Sequence, residues 1–395
     1  MSPVRDPQDR SVRRQQRDLA VAAREKAATP PQARPPEADP TPEDPAARTS
    51  LEEEFERLPT RERHGGRRSE QVQRQLGRLR VDERRELAQG DSALLADPAT
   101  VIVLTRGQCE VELGDGSTVI AHLPKALALA QQTEVAVGDR VLLERRAAGA
   151  LAVARLLPRS SRLSRPDPFY LHRERVIAAN LDLAMVVTSV RKPLLSTGLL
   201  DRFLVALAHG GVPAEIVVNK VDLIDGSRDQ DPELASLEQY RALGVPVHLV
   251  SASTGEGIES LRESLAGKLA VFVGHSGVGK SSVLNALDPE AAAAVGAVSE
   301  SWQKGRHTTT SARIYKVARG IRIIDTPGIR EFGLWKMSPR ELAAYFEEFD
   351  AVAGGCRFTD CTHTHEPHCA VSAAAARGEL PRYATYLRIL ESLGG

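Results

Sequence analysis

The chain has 395 residues, with 52 basic and 52 acidic side chains and no net formal charge. That length accommodates about two or three domains with a sizeable core, and the balanced charge leaves any case for nucleic acid to local distribution. No apolar run exceeds strand length, which excludes a membrane span, and no apolar stretch follows Arg13-Arg14, so a cytoplasmic protein is expected.

Residues 1–90 carry 19 basic and 17 acidic side chains, and 7 prolines lie between Pro30 and Pro45. So few large apolar residues cannot offset the entropy of ordering the segment. Residues 1–95 are therefore expected to be a disordered, mixed-charge extension, with a solvated helix over 71–87. An RNA-touching arm and a solubilising tail both suit this composition.

The texture changes over 96–160, where short β-like runs fall at 101–105, 109–113, 117–121, 139–143 and 151–156. Gly114-Asp115-Gly116 marks a turn between two of them. Five short strands predict a small barrel, of which the OB-fold is a common type. Arg140, Arg145, Arg146, Arg155, Arg159, Arg162 and Arg165 bias its end toward positive charge. Such surfaces bind RNA in OB barrels, and solvated arginines also explain the bias.

Over 170–337, apolar strands (183–188, 214–218, 245–250, 269–273, 322–325) alternate with helical stretches (199–208, 234–243, 257–265, 280–287). This is the pattern of a parallel, doubly wound sheet. Residues 338–395 hold a cysteine-histidine segment and a final helix over 381–393. The expected fold class is multidomain: an N-terminal OB-like β-barrel, a central α/β domain, and a C-terminal helical domain that carries the cysteine-histidine segment.

The nucleotide motifs narrow that middle assignment. Gly274-His275-Ser276-Gly277-Val278-Gly279-Lys280-Ser281-Ser282 follows an apolar strand and opens a helix. Its backbone N–H groups can wrap phosphates at the helix N-terminus, Lys280 can reach the β and γ phosphates, and Ser281 can hold magnesium. Asn219-Lys220-Val221-Asp222 also ends a strand. The Asp222 carboxylate can accept two hydrogen bonds from guanine, which adenine cannot supply. Asn219 would brace the loop and the Lys220 stem would lie over the purine. Ser251-Ala252-Ser253 would present a backbone N–H to the guanine carbonyl. Each tetrapeptide alone is an ordinary surface turn; together they specify GTP.

Thr308 or Thr309, with Thr309 favoured, supplies a switch hydroxyl to magnesium, and Asp325 acts on that ion through water. The Gly328 N–H would bond the γ-phosphate, so hydrolysis releases the switch. The position after this glycine is Ile329, where well-studied GTPases carry a water-orienting glutamine. Slow intrinsic turnover is expected, and His307 is the candidate for the missing role. A solvent-exposed loop histidine is the competing reading. The order is inverted, because the base-reading half precedes the phosphate loop, so the central domain is expected to be an α/β P-loop GTPase with circularly permuted motif order.

Of 4 cysteines, 3 lie between positions 356 and 369. Cys356, Cys361, His363 and Cys369 have C-x4-C-x-H-x5-C spacing, which suits a closed, tetrahedral, structural zinc. His365 and His368 are alternative nitrogen ligands, and Cys109 reads as core.

These residues resemble the ribosome small-subunit-dependent GTPase A family (RsgA, also called YjeQ). The most specific strings are Gly305-Arg306-His307-Thr308-Thr309-Thr310, Asp325-Thr326-Pro327-Gly328-Ile329-Arg330-Glu331-Phe332-Gly333-Leu334, Cys356-Arg357-Phe358-Thr359-Asp360-Cys361-Thr362-His363, Glu366-Pro367-His368-Cys369-Ala370-Val371 and Arg382-Tyr383-Ala384-Thr385-Tyr386. The resemblance implies late maturation of the small ribosomal subunit, contact with its rRNA, and GTP hydrolysis stimulated by the subunit. It places His307 on the family's proposed catalytic histidine and His363 on its zinc ligand. Magnesium accompanies GTP, and a monomer is expected. A non-hydrolysing RNA-binding scaffold and a permuted GTPase acting on the large subunit are the competing functions.

Overall fold

A computed structural model describes residues 93–95, 97–105, 107–124, 135–146, 149–166, 174–288, 312–325 and 337–393. Residues 1–92 of the extension expected over 1–95, its helix at 71–87, the loop carrying His307 to Thr309, and Gly328 lie outside the described residues, while 93–95 are described and begin with a short strand.

The first module is a five-stranded barrel of β2 (Ala99–Thr105), β3 (Gln108–Glu112), β4 (Thr118–His122), β5 (Arg140–Arg145) and β6 (Leu151–Leu156). The two-residue β1 (Ala93–Leu94) adds to β5. The order β2-β3-β4-β6-β5 closes through antiparallel β5–β2 pairing, with β4 and β6 parallel. Inward residues alternate with outward ones, so Val101, Val111, Ala121, Val141, Leu143 and Val153 fill the interior. Cys109 is among them, as expected; burial pushes its thiol up to about 12, which keeps it protonated and inert.

The nucleotide module is built on β9 (Leu183–Ser189), β10 (Ala214–Asn219), β11 (Val247–Leu249), β12 (Leu269–Val273) and β14 (Arg322–Asp325), all parallel in the order β14-β12-β9-β10-β11. Every residue of β9 and β12 is buried. Strands covered on both faces have to be apolar throughout, which is why these read as continuous hydrophobic runs. Ala184 and Val186 face one core, while Leu183, Met185 and Val187 face the other.

Besides β1, three strands are not among those the sequence predicts. Strands β7 (Arg162–Pro166) and β8 (Glu174–Ala179) form an antiparallel hairpin between the barrel and the nucleotide sheet. Strand β13 (Ala312–Lys316) pairs antiparallel with β14 on one side and with β2 on the other. Through Leu104↔Ala312 and Val103↔Arg313 the barrel and the nucleotide module share one twelve-stranded sheet. The helix expected over 234–243 is two pieces, Pro232–Ala235 and Glu238–Ala242. Ser236 Oγ donates to the Glu233 carbonyl at 2.6 Å, a local bond that competes with helix continuation.

Helix α1 (Thr197–His209) covers one face of the sheet and also receives the C-terminal module. Val205 enters a core with Phe346, Phe349, Val371, Tyr386 and Ile389. Beside it Arg382 donates through Nε to Asp201 at 2.8 Å and through Nη1 to Glu348 at 3.0 Å. The Tyr240 hydroxyl reaches the same Asp201 oxygen at 3.0 Å. Asp201 is 1% exposed and Arg382 5%, so their desolvation is offset by hydrogen bonds such as these and by the Arg382 guanidinium lying 4.7 Å from the centre of the Phe346 ring.

Candidate nucleotide and metal sites

The sheet brings the inverted motifs back into one site. Spatial neighbours β9, β10 and β12 end in the loops at Val190, Lys220 and Gly274, and β14 ends at Asp325 on the other flank. Ligands in open α/β sheets bind at these carboxyl ends. Asn219 is 2% exposed and bridges two motifs: its Nδ2 donates to Val278 O at 3.0 Å, and its Oδ1 accepts from the Ala252 N–H at 3.1 Å. Asp222 is exposed, and its Oδ1 accepts from the buried Ser251 hydroxyl at 2.6 Å. That bond holds the carboxyl below its ordinary range, so it stays ionised and presents oxygen outward. Ser251 Oγ also contacts Ser253 Oγ at 2.9 Å and accepts the Thr254 N–H at 3.2 Å.

The phosphate loop runs from β12 into helix α2 (Lys280–Leu287). Lys280 folds back over it, donating to Gly274 O at 2.7 Å and His275 O at 2.6 Å. Ser281 and Ser282 stand exposed on the helix's first turn, and Ser276 and Gly277 are exposed at the loop crest. Val278 is buried and anchors the loop in the core. Gly279, at φ 95°, leaves no room for a side chain: a Cβ there would sit 2.2 Å from Asn219 Nδ2. Gly279→Ala is therefore expected to part Asn219 from Val278 and weaken GDP binding by at least roughly tenfold. Calorimetric titration with GDP checks this; unchanged affinity would mean the brace is dispensable.

The second constellation is in the C-terminal module. The ligand atoms of Cys356, Cys361, His363 and Cys369 lie within 4.8 Å of one another. His363 Nδ1 is 3.6 Å from Cys356 Sγ and 3.5 Å from Cys369 Sγ, and those two sulfurs are 3.9 Å apart. A tetrahedron with metal–sulfur bonds of ~2.3 Å has S···S edges of about 3.8 Å, so the donor set and its spacing fit zinc. His365 and His368 are not in this group; His365 Nδ1 lies 2.8 Å from Thr364 Oγ1.

Side chains that spacing alone does not point to hold the cluster. His363 takes a left-handed backbone, φ 60°. Its carbonyl accepts from Tyr383 OH at 2.7 Å, and the preceding Thr362 carbonyl accepts from Tyr386 OH at 2.5 Å. The Glu366 carboxylate accepts the N–H groups of Thr362 at 2.7 Å and Thr364 at 3.0 Å, closing the turn. Cys369 caps helix α3 (Ala370–Ala376), its sulfur accepting the Ser372 N–H at 3.3 Å.

Comparison with known proteins settles the family. Residues 156–335 match the family model described as RsgA GTPase. A small ribosomal subunit biogenesis GTPase RsgA from Actinobacillus pleuropneumoniae serotype 5b (strain L20) is 37% identical over 333 residues, spanning 81% of this chain and 94% of that protein. The chain belongs to the RsgA family of GTPases. The RsgA of Gemmatimonas aurantiaca is 41% identical over 268 residues, covering 66% of this chain and 85% of its own. Among solved structures, YjeQ from Thermotoga maritima aligns with a TM-score of 0.60 at 33% identity, covering 76% of this chain and 99% of that one. YloQ, described as a circularly permuted GTPase, aligns with a TM-score of 0.57 at 26% identity over 75% and 95% of the two chains. The RsgA fold therefore accounts for the inverted motif order as a circular permutation.

The seven arginines near the barrel of this RsgA-family chain are not equivalent. Arg159 makes two bonds to the fully buried Asp139, at 2.7 and 2.8 Å, and serves structure. Arg146 pairs with Glu144 at 2.8 Å and Arg162 with Glu174 at 2.7 Å. Arg140, Arg145 and Arg155 are exposed on β5 and β6. Among the described residues no helix is long and apolar enough to cross a membrane.

Proposed function

We propose that this RsgA-family GTPase acts in the cytoplasm, in late maturation of the small ribosomal subunit, and that the subunit stimulates its turnover. The observation that carries the reading is the Asn219 bridge, which fastens the guanine-reading loops to the phosphate loop as one pocket. Relatives named for small-subunit biogenesis and matched over 94% of their length direct that pocket to the ribosome. Asn219, Lys220, Asp222, Ser251 and Ala252 hold guanine, while Gly274 through Ser282 and Lys280 hold the phosphates. Ser281 and Thr309 would hold magnesium, with Asp325 acting through a water, and the ion would neutralise charge on the phosphates; Gly328 would sense the γ-phosphate. Water attacks the γ-phosphorus, the bond to the bridging oxygen breaks, and GDP and phosphate result. His307 orients that water in place of the absent glutamine.

Cys356, Cys361, His363 and Cys369 hold one structural zinc. Exposed Arg140, Arg145 and Arg155 fit the phosphates of rRNA. The protein works as a monomer divided into a barrel (96–160), a GTPase domain (170–337) and a zinc module (338–395).

GTP turnover measured alone, with small subunits and with large subunits tests the reading. Stimulation only by small subunits is expected, and its absence overturns the ribosomal assignment. His307→Ala should bind GTP normally yet lose roughly a hundredfold of the stimulated rate, the lower end for a positioned proton-handling group. Unchanged turnover removes His307 from the mechanism.

A further inference from the structure

Arg191 lies in none of the five GTPase motifs, yet it adjoins the carbonyl that Lys220 contacts. Two carbonyls from different loops meet the Lys220 ammonium: Gly277 O, at 2.8 Å, and Lys192 O. Lys220 therefore ties the base-reading loop to the crest of the phosphate loop and to the segment after β9. That segment is also packed against both motifs. The Val190 N–H donates to Asn219 O at 3.1 Å, Ser189 Oγ donates to Pro193 O at 2.8 Å, and Pro193 lies beside Gly277.

Lys192 adopts φ 52°, a left-handed conformation that an L-residue keeps only when its surroundings impose it. The neighbouring residue supplies an anchor. Arg191 Nη2 is 2.6 Å from Asp231 Oδ2, and Nη1 is 3.0 Å from Glu233 Oε2. Nη1 also donates to Val190 O at 2.9 Å. The Asp231 and Glu233 side chains are 2% and 7% exposed and that of Arg191 21%, so solvent screens this network far less than a surface pair. The other Asp231 oxygen accepts the Glu233 and Leu234 N–H groups, both at 3.1 Å, which fixes the carboxylate to a helix start. A second tie, from Arg228 to Glu256 at 2.9 Å, joins the same 228–233 stretch to the loop after Ser251.

We propose that Arg191, held by Asp231 and Glu233, is a positioning residue that sets how long guanine nucleotide stays bound. It acts by fixing the Lys192 carbonyl that receives Lys220. This rests on the guanine reading above and extends it to a control on nucleotide exchange. Because the ion pair lies outside the motifs that contact nucleotide, it governs escape of the base without entering the phosphate chemistry.

Release of fluorescent GDP from the full-length protein, chased with unlabelled GDP, tests it. Arg191→Ala is expected to release GDP roughly tenfold faster, since loss of such a pair appears mainly in off-rate. Arg191→Lys, a point charge that cannot make the forked contact, should fall between. Single-turnover hydrolysis of preloaded GTP should be unchanged in both. The deciding arm is a double-mutant cycle with Lys220→Ala. If Arg191 acts through Lys220, the double variant releases GDP no faster than Lys220→Ala alone. Unchanged release in both Arg191 variants, or additive effects in the cycle, overturns the proposal. If Arg191→Ala does not fold, as read by circular dichroism, the same cycle with Arg191→Lys decides. Failure of the wild type to bind GDP would instead overturn the guanine reading itself.

Discussion

Asp222→Asn is expected to lower affinity for GDP and GTP by at least a hundredfold and to raise affinity for the xanthine nucleotides. The carboxylate is ionised and exposed, and it can accept from the guanine ring N–H and the exocyclic amine together. A hydrogen bond to a charged group contributes about 1.5–3 kcal/mol, so losing two costs roughly 3 kcal/mol or more, which is about two decades in Kd. The amide offers one acceptor and one donor pair, which matches the carbonyl that xanthine carries where guanine has its amine. Ser251 can still donate to the remaining oxygen, so the loop is expected to survive the change. Competition binding with GDP and XDP checks it. If the Asp222→Asn variant still prefers GDP, Asp222 has no part in base recognition.

Cys369→Ala is expected to unfold the C-terminal module while leaving the GTPase sheet folded. Cys369 has three jobs: donor in the cluster, cap of α3, and member of the apolar core. Structural zinc in small modules contributes ~10–16 kcal/mol of apparent binding free energy, more than a module of about 55 residues retains without it. Once it opens, Arg382 leaves Asp201 and Tyr240, and those two groups are free to hydrate. Basal GDP binding should persist and stimulation by small subunits should fall to the basal level. Metal content of the purified protein and limited proteolysis provide the measurement. One zinc per chain and a proteolytic pattern identical to wild type would refute the assignment. Acid should act in the same direction, because protons compete with the metal for thiolates and imidazole.

Much of the nucleotide site is legible in the sequence because its chemistry is local. A phosphate loop is a contiguous string whose glycines, lysine and hydroxyl act within one turn of chain. Strands β9 and β12 are equally visible, since burial on both faces demands unbroken apolar runs. The barrel strands show through the two-residue alternation that one wet face imposes. The four-ligand cluster is readable from spacing, and the resemblance singles out His363 among three histidines; the backbone then puts His363 against two sulfurs.

What the sequence hides has a common cause. In β13 only Ile314 is buried, and β7 carries a single large apolar residue, Leu163, so neither advertises burial locally; only β8 has a local signal, the buried run from Val176 to Ala179. Their strand character comes from the partners they pair with, which lie far away in sequence. The same holds for Glu366, Tyr383 and Tyr386, whose roles appear only where their oxygens meet the His363 loop.

By itself the sequence determined which groups are the candidates for guanine, phosphate and metal, because each set is short-range and carries its own spacing. Only the tertiary structure decided how the groups are joined. Asn219 reaches Val278 across the sheet, β2 pairs with β13 so that barrel and GTPase share hydrogen bonds, and Arg382 meets Asp201 between two modules. Those contacts are set by the closing of long loops and the satisfaction of buried polar groups. No local run of residues encodes either one.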